Sequence, residues 1–181
     1  MNASKNKCLL HICCVGCGAY VAEVLKEDHD VTLYFYNPSI WPVSEYELRR
    51  REALNISKDL DLPLLEGDYV HKAWLAKVKG LEQEPEKGRR CHVCYEDRLR
   101  ATAAKATELN IEYFTTTLTV SPHKDAAKIF ELGEKIAAEF GLKCIARDFK
   151  KKDGFKKACD LSHELGLYRQ DYCGCEYSMR N

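Results

Sequence analysis

Residues 7–38, KCLLHICCVGCGAYVAEVLKEDHDVTLYFYNP, decide the fold. Residues 7–13 form a short apolar run that ends in a turn rich in Cys and Gly. Residues 19–27 carry Ala19, Ala22, Val24 and Leu25 at helical spacing, and residues 31–36 are a second apolar run stopped by Asn37-Pro38. That is strand, helix, strand. Outward from this unit the spacing predicts a charged helix over 45–59, a short strand over 62–65 and an exposed loop over 79–90, where KGLEQEPEKGRR has no apolar period. A helix over 98–109, starting near Cys91, precedes a strand over 113–118; a helix over 122–140 with Pro122 in its first turn precedes a strand over 143–149. The last thirty residues read as irregular or partly helical, with 160–181 expected to close the site. Strands alternating with helices this long imply right-handed crossovers and an α/β fold with a parallel sheet covered on both faces. No internal repeat or low-complexity linker divides the chain, so residues 1–181 are expected to form one domain. In such folds the site lies outside the carboxyl ends of the strands. Cys13, Asn37, Leu118 and Asp148 fall at or near those predicted ends.

Composition narrows the function classes. With 181 residues, 45% of them hydrophobic, and 28 basic residues against 28 acidic ones, the chain can bury an ordinary core and is neither disordered nor collagen-like. No secretory pattern opens it, and runs such as 8–15 fall far short of a membrane span, so a cytosolic protein with no membrane partner is expected. In a reducing compartment ten cysteines point to metal binding or redox chemistry rather than to a disulfide framework. Zero net charge leaves any nucleic-acid partner to local patches. Such patches exist: the basic runs 49–51, 89–90, 150–152 and 156–157 are interleaved with Tyr36, Trp41, Tyr46, Tyr95, Tyr168 and Tyr172, a mixture suited to stacking bases and binding phosphates.

The cysteines fall into sets. Cys91 and Cys94 in CHVC share a helix face near a helix N-terminus, which favours the thiolate form of a ligand. Cys13 and Cys14 are neighbours that pair poorly with each other but serve well as loop ligands. Together Cys13, Cys14, Cys91 and Cys94 suit a [4Fe-4S] cluster or a tetrahedral zinc; the vicinal pair fits the zinc knuckle poorly and favours iron and sulfide. Cys17 is placed to bind a second metal, an iron ion, or to support the first. Cys173 and Cys175 flank a glycine, as ligands or as a strained, easily reduced disulfide, beside a recognition strip of Tyr168, Arg169, Gln170 and Tyr172. Cys8, Cys144, Cys159 and His11 read as core residues, and His92 either bonds a sulfur or is solvated.

Five motifs in order, LLHICC, FYNPSIWPVSEYELRR, RCHVCYEDRL, TTTLTVSPHKD and LYRQDYCGCEYS, resemble the epoxyqueuosine reductases of the QueH type over residues 8–178. The resemblance implies a HUP/Rossmann-like fold and an oxidoreductase that reduces the epoxide of epoxyqueuosine at the tRNA wobble position to queuosine without cobalamin, the last step of queuosine synthesis. It implies cluster ligands at Cys13, Cys14, Cys91 and Cys94, a redox-active pair at Cys173 and Cys175, and tRNA and an external electron donor as partners. Position 17 is Cys or Asp in that family, and either can bind a second iron. Ser39-Ile40-Trp41 departs from the family's usual run, which removes support for a substrate role of Trp41. Asp148, Lys151 and Tyr172 are the candidate proton donors. A sulfonucleotide reductase would need a serine-containing phosphate loop where this chain has CCVGCG; a zinc-stabilised RNA-binding module is the non-enzymatic alternative.

Overall fold

The computed structural model describes residues 5–179. In chain order these form β1 (Asn6–Ile12), α1 (Val15–Lys26), β2 (His29–Phe35), α2 (Val43–Asp59), β3 (Leu64–Glu66), α3 (His71–Lys77), α4 (Arg89–Glu108), β4 (Tyr113–Thr116), α5 (Ala126–Phe140), β5 (Lys143–Cys144) and α6 (Gly154–Glu164). Short 3-10 turns occupy Thr117–Val120 and Glu176–Ser178.

The five strands pair in the order β3-β2-β1-β4-β5, every pair parallel. The near-continuous apolar runs at β1 and β2 are what such a sheet requires, because both faces must be covered. Cys8, Leu10 and Ile12 of β1, with Val31, Leu33 and Phe35 of β2, pack on α1 and α2. Leu9, Tyr34 and Phe114 on the opposite face pack on α4 and α5. The alternation is the period of two dictated by the pleat. His11 sits in this core with full burial. Its Nε2 donates to the Tyr36 carbonyl (3.0 Å), which leaves Nδ1 to accept from Thr116 Oγ1 (2.9 Å). Burial first, and then the nearby Arg98 charge, lower its pKa to about 3, so the ring is neutral.

Helix α6 packs back on α1, where Gly16 lies against Ser162. At the start of α6, a Cβ on Gly154 would stand 1.8 Å from the Phe149 carbonyl oxygen. Backbone would have to yield. Gly154→Ala is therefore expected to cost about 1–3 kcal/mol, read as a lower melting temperature.

Several boundaries differ from the sequence reading. The strand expected over 113–118 ends at Thr116, whose Oγ1 accepts from Leu118 N (3.2 Å) and turns the chain into the 3-10 turn. β5 stops at Cys144 instead of 149: Ile145 N still donates to Phe114 O (2.9 Å), and from there threonine side chains hold the chain, Thr115 Oγ1 donating to Ile145 O and Thr119 Oγ1 to Arg147 O. Asp148 is thus not at a strand end. α5 begins at Ala126, not Pro122, because Asp125 caps it through Lys128 N (3.1 Å). α4 begins at Arg89, and Arg90 is buried, with Nη1 donating to the carbonyls of Leu81, Glu82 and Glu84; neither residue belongs to the exposed loop expected over 79–90. Among the described residues no helix is long and apolar enough to cross a membrane.

Candidate active site

The chain leaves β1 toward β2 and β3 and returns to β4 on the other side of β1, so β1 and β4 flank the switch point. Ligands of open parallel sheets bind in that crevice. β1 delivers Cys13 and Cys14 there, at the N-terminus of α1, and Cys13 N donates to Thr117 Oγ1 across the crevice (3.4 Å). At the end of β2, Asn37 Nδ2 donates to Ile12 O (2.9 Å) while its Oδ1 accepts from Arg98 Nε (3.2 Å). α4 brings in Cys91 and Cys94, and one turn later Arg98 donates to Cys94 Sγ and to Ser39 Oγ, both at 2.7 Å. Arg98 is buried, and none of its hydrogen-bond partners among the described residues is a carboxylate: they are a cysteine sulfur, an amide and a hydroxyl. A buried guanidinium without a carboxylate calls for negative charge nearby.

The C-terminal segment is strapped over this region. Gly174 has φ 106°, a left-handed conformation that favours glycine. Its carbonyl accepts from Trp41 N (2.8 Å), and Ile40 bridges to Cys175. Buried Arg49 donates to the carbonyls of Tyr172 and Cys173, both at 3.2 Å, and pairs with Glu45 at 2.6 Å. Cys173 and Cys175 are free thiols. The Cys175 thiol hydrogen bond, the Lys124 ammonium and the Ser178 hydroxyl (2.9 Å) hold Cys173 well below the usual thiol pKa despite burial. The same bond, with burial, pushes Cys175 far up.

Two adjoining pockets result. The smaller is lined by Cys13, Cys91, Cys94, Cys173 and Cys175, together with Trp74, Tyr95, Arg98 and Lys124. The larger, about 330 Å³, has Cys13, Cys14, Cys17 and Cys173 on one side and Tyr168, Gln170, Tyr172 and Phe155 on the other. Cys13, Cys173 and Lys124 line both; Cys14 and Cys17 line only the larger, so the four expected cluster ligands do not all face one cavity. Exposed Glu86 is the carboxylate lining the smaller pocket. Cys91 is not favoured as a thiolate by its helix end: burial raises its pKa despite a backbone hydrogen bond from Lys87. For Cys14 the Cys13 hydrogen bond pulls downward, but the bond to Cys17 and burial push it up to about 12.

Other expectations resolve differently. Asp148 and Lys151 line a separate groove; Tyr172 alone of the candidate proton donors reaches the large pocket. Trp41 is 40% exposed and lines neither cysteine pocket. Cys8 is core, whereas Cys159 is on the pocket wall and accepts from Arg169 Nη2 (3.4 Å). Arg98, Lys124 and Trp74 are residues the sequence reading missed. Arg98 was within reach, being four residues after Cys94 on one helix face. Burial opposes the Lys124 charge, yet Cys173, Tyr95 and Cys94 keep its pKa raised. Lys124→Met is therefore expected to shift the alkylation profile of Cys173 to higher pH and to slow iodoacetamide labelling at pH 7 about tenfold. An unchanged rate would remove Lys124 from this role.

Strand order and a thiol-lined switch point define a HUP/Rossmann-like α/β protein with a cysteine-rich centre. Known structures share the fold: the U34-tRNA thiolase NcsA from Methanococcus maripaludis, with its [4Fe-4S] cluster, superposes with TM-score 0.62 at 13% identity over 98% of this chain and 63% of that one. A predicted subunit of tRNA methyltransferase from Methanocaldococcus jannaschii gives TM-score 0.57 at 15% identity over 86% of this chain and 74% of the other. The family model "Epoxyqueuosine reductase QueH" matches residues 8–181, and the chain belongs to that family of oxidoreductases. The Streptococcus pyogenes serotype M1 protein of that name is 39% identical over 178 residues, 95% of this chain and 70% of its own length. The Thermotoga maritima one is 34% identical, over 94% of this chain and 89% of its length.

Proposed function

We propose that this chain reduces the epoxide of epoxyqueuosine in tRNA to queuosine, with a [4Fe-4S] cluster held by Cys13, Cys14, Cys91 and Cys94 and with Cys173 and Cys175 as a redox pair. The observation that carries the reading is the convergence of three cysteine motifs, distant in sequence, on two pockets with a common wall at the switch point.

The residues fit such a cluster. Among the described residues, Trp74 Nε1 and Tyr95 OH are buried without a hydrogen-bond partner, and both residues line the smaller pocket. Buried donors are rarely left unpaired, and cluster sulfides supply acceptors. The negative charge of a thiolate-bound cluster also answers the buried Arg98 and Lys124. A single tetrahedral zinc takes thiolates about 2.3 Å away, and the vicinal Cys13-Cys14 pair suits a zinc knuckle poorly. No step is assigned to the second iron expected beside Cys17. The fold itself houses a cluster of this type in NcsA.

When bound, the cluster would relay electrons singly at the pocket wall, adding none to the two that the thiol pair supplies. The chain's own groups account for the rest. Opening the epoxide to the alkene consumes two electrons and two protons and releases water; oxidation of the Cys173 thiolate and the Cys175 thiol to one disulfide delivers both electrons and one proton, Lys124 supplies the second proton, and an external reductant of the thiol or electron-carrier class restores the pair. Lys124, on the wall shared by both pockets, and Tyr172 hold protons for the departing oxygen. Tyr168, Tyr172 and Phe155 offer faces for a flipped-out base. A cytosolic location belongs to the same reading.

Metal analysis of anaerobically prepared protein tests it. Iron and acid-labile sulfide in equal amounts are expected; colourless protein with stoichiometric zinc would contradict it. Because burial keeps Cys91 protonated and Cys14 titrates only near pH 12, loading must release protons. Iron uptake is therefore expected to be tighter at pH 8 than at pH 6.5.

A further inference from the structure

The basic runs of this chain are not equivalent. Arg49 and Arg90 are buried on internal partners, Arg50 pairs with Glu47 and Glu66, and Arg89 with Glu84. In contrast, Arg147, Lys150, Lys151, Lys152, Lys156 and Lys157 form no ion pair with one another's acidic neighbours or with any other carboxylate among the described residues. The segment 147–157 carries these six cations against Asp148 and Asp153, and Glu27 is the further acid in its groove. Arg147, Lys151, Lys152 and Lys157 line a concave groove of about 540 Å³ with Tyr20, Phe130 and Phe149. Helix α6 joins the groove to the large pocket: Phe155, Ala158, Cys159 and Ser162, on one helix face, line the pocket, while Lys156 and Lys157 are exposed beside 40% exposed Phe155. Six cations gathered beside a pocket without carboxylate partners sum to a local positive field that attracts an external anion.

We infer that the ledge formed by residues 147–157 grips the phosphate backbone of the substrate tRNA and feeds one nucleotide past Phe155 into the large pocket. The inference rests on the proposed reduction of a tRNA base. Backbone phosphates are the natural occupant because the groove is cationic and its aromatic residues are few, so it positions the strand rather than reading bases.

The test is binding of epoxyqueuosine-containing tRNA to the full chain across a salt titration. The quadruple variant Lys151→Ala, Lys152→Ala, Lys156→Ala and Lys157→Ala changes only exposed side chains. It is expected to weaken binding about tenfold or more at 0.1 M salt and to flatten the slope of log affinity against log salt by about 3 to 4. A control with the same charge change at exposed Lys58, Lys72, Lys79 and Lys135 should keep the wild-type slope. Equal weakening in both variants would show diffuse attraction and overturn the ledge. Wild-type binding by the ledge variant, with wild-type protein still reducing epoxyqueuosine, would overturn the ledge and leave the proposed function standing. If wild-type protein neither binds nor reduces this tRNA, both fall.

Discussion

Cys91→Ala protein is expected to lose its iron and sulfide, its brown colour and its turnover of epoxyqueuosine tRNA, the last by about 10³-fold or more. That loss corresponds to about 4 kcal/mol of transition-state stabilisation. Cys91 gives a cleaner test than Cys94. The Cys94 sulfur accepts from Arg98 at 2.7 Å, so its removal strands a buried cation, and loss of fold would mimic loss of cluster. Cys91 is half-buried in the first turn of α4 and is not among the hydrogen-bond partners of Arg98. Its truncation should leave the thermal unfolding of the metal-free protein within about 1 kcal/mol of wild type. Full cluster absorbance with full turnover in this variant would remove Cys91 from the ligand set.

Cys173→Ser is expected to behave in the opposite way. Iron, sulfide and visible absorbance remain, while turnover falls about 10³-fold because the two-electron pair no longer exists. The hydroxyl is close in size, and the strap that positions this residue holds the main chain rather than the sulfur: Arg49 grips the Tyr172 and Cys173 carbonyls, and Trp41 N holds Gly174 O. Geometry therefore survives and chemistry does not. Cys175→Ser should give a comparable loss. If the serine variants lost the cluster along with activity, the two sulfurs would be ligands and not an electron store.

Much of this was legible in the sequence because parallel strands covered on both faces announce themselves as apolar runs. β1, α1 and β2 follow from residues 7–38, and the sheet order then places Cys13 and Cys14 at the switch point. What was not legible depended on polar side chains acting at a distance. Threonines 115 and 119 hold the segment after β5 by hydroxyl bonds, so no apolar pattern could have shown that residues 145–149 leave the sheet. The same limit hid the roles of Asn37 and Ser39, which accept from Arg98 across 61 and 59 positions of sequence, a link that no local period reveals. Lys124 and Trp74 reach the thiol pocket from separate elements. Proximity alone gives them meaning. The proton-donor candidates show the reverse failure: β5 ends at Cys144, short of the strand end expected near Asp148, and Asp148 and Lys151 line a separate groove.

The proposed activity is tested most directly at the tRNA. Anaerobically loaded protein, supplied with a chemical reductant and tRNA containing epoxyqueuosine, should convert that nucleoside to queuosine, measured by mass spectrometry of the digested tRNA. Protein loaded with iron and sulfide that leaves epoxyqueuosine untouched would contradict it.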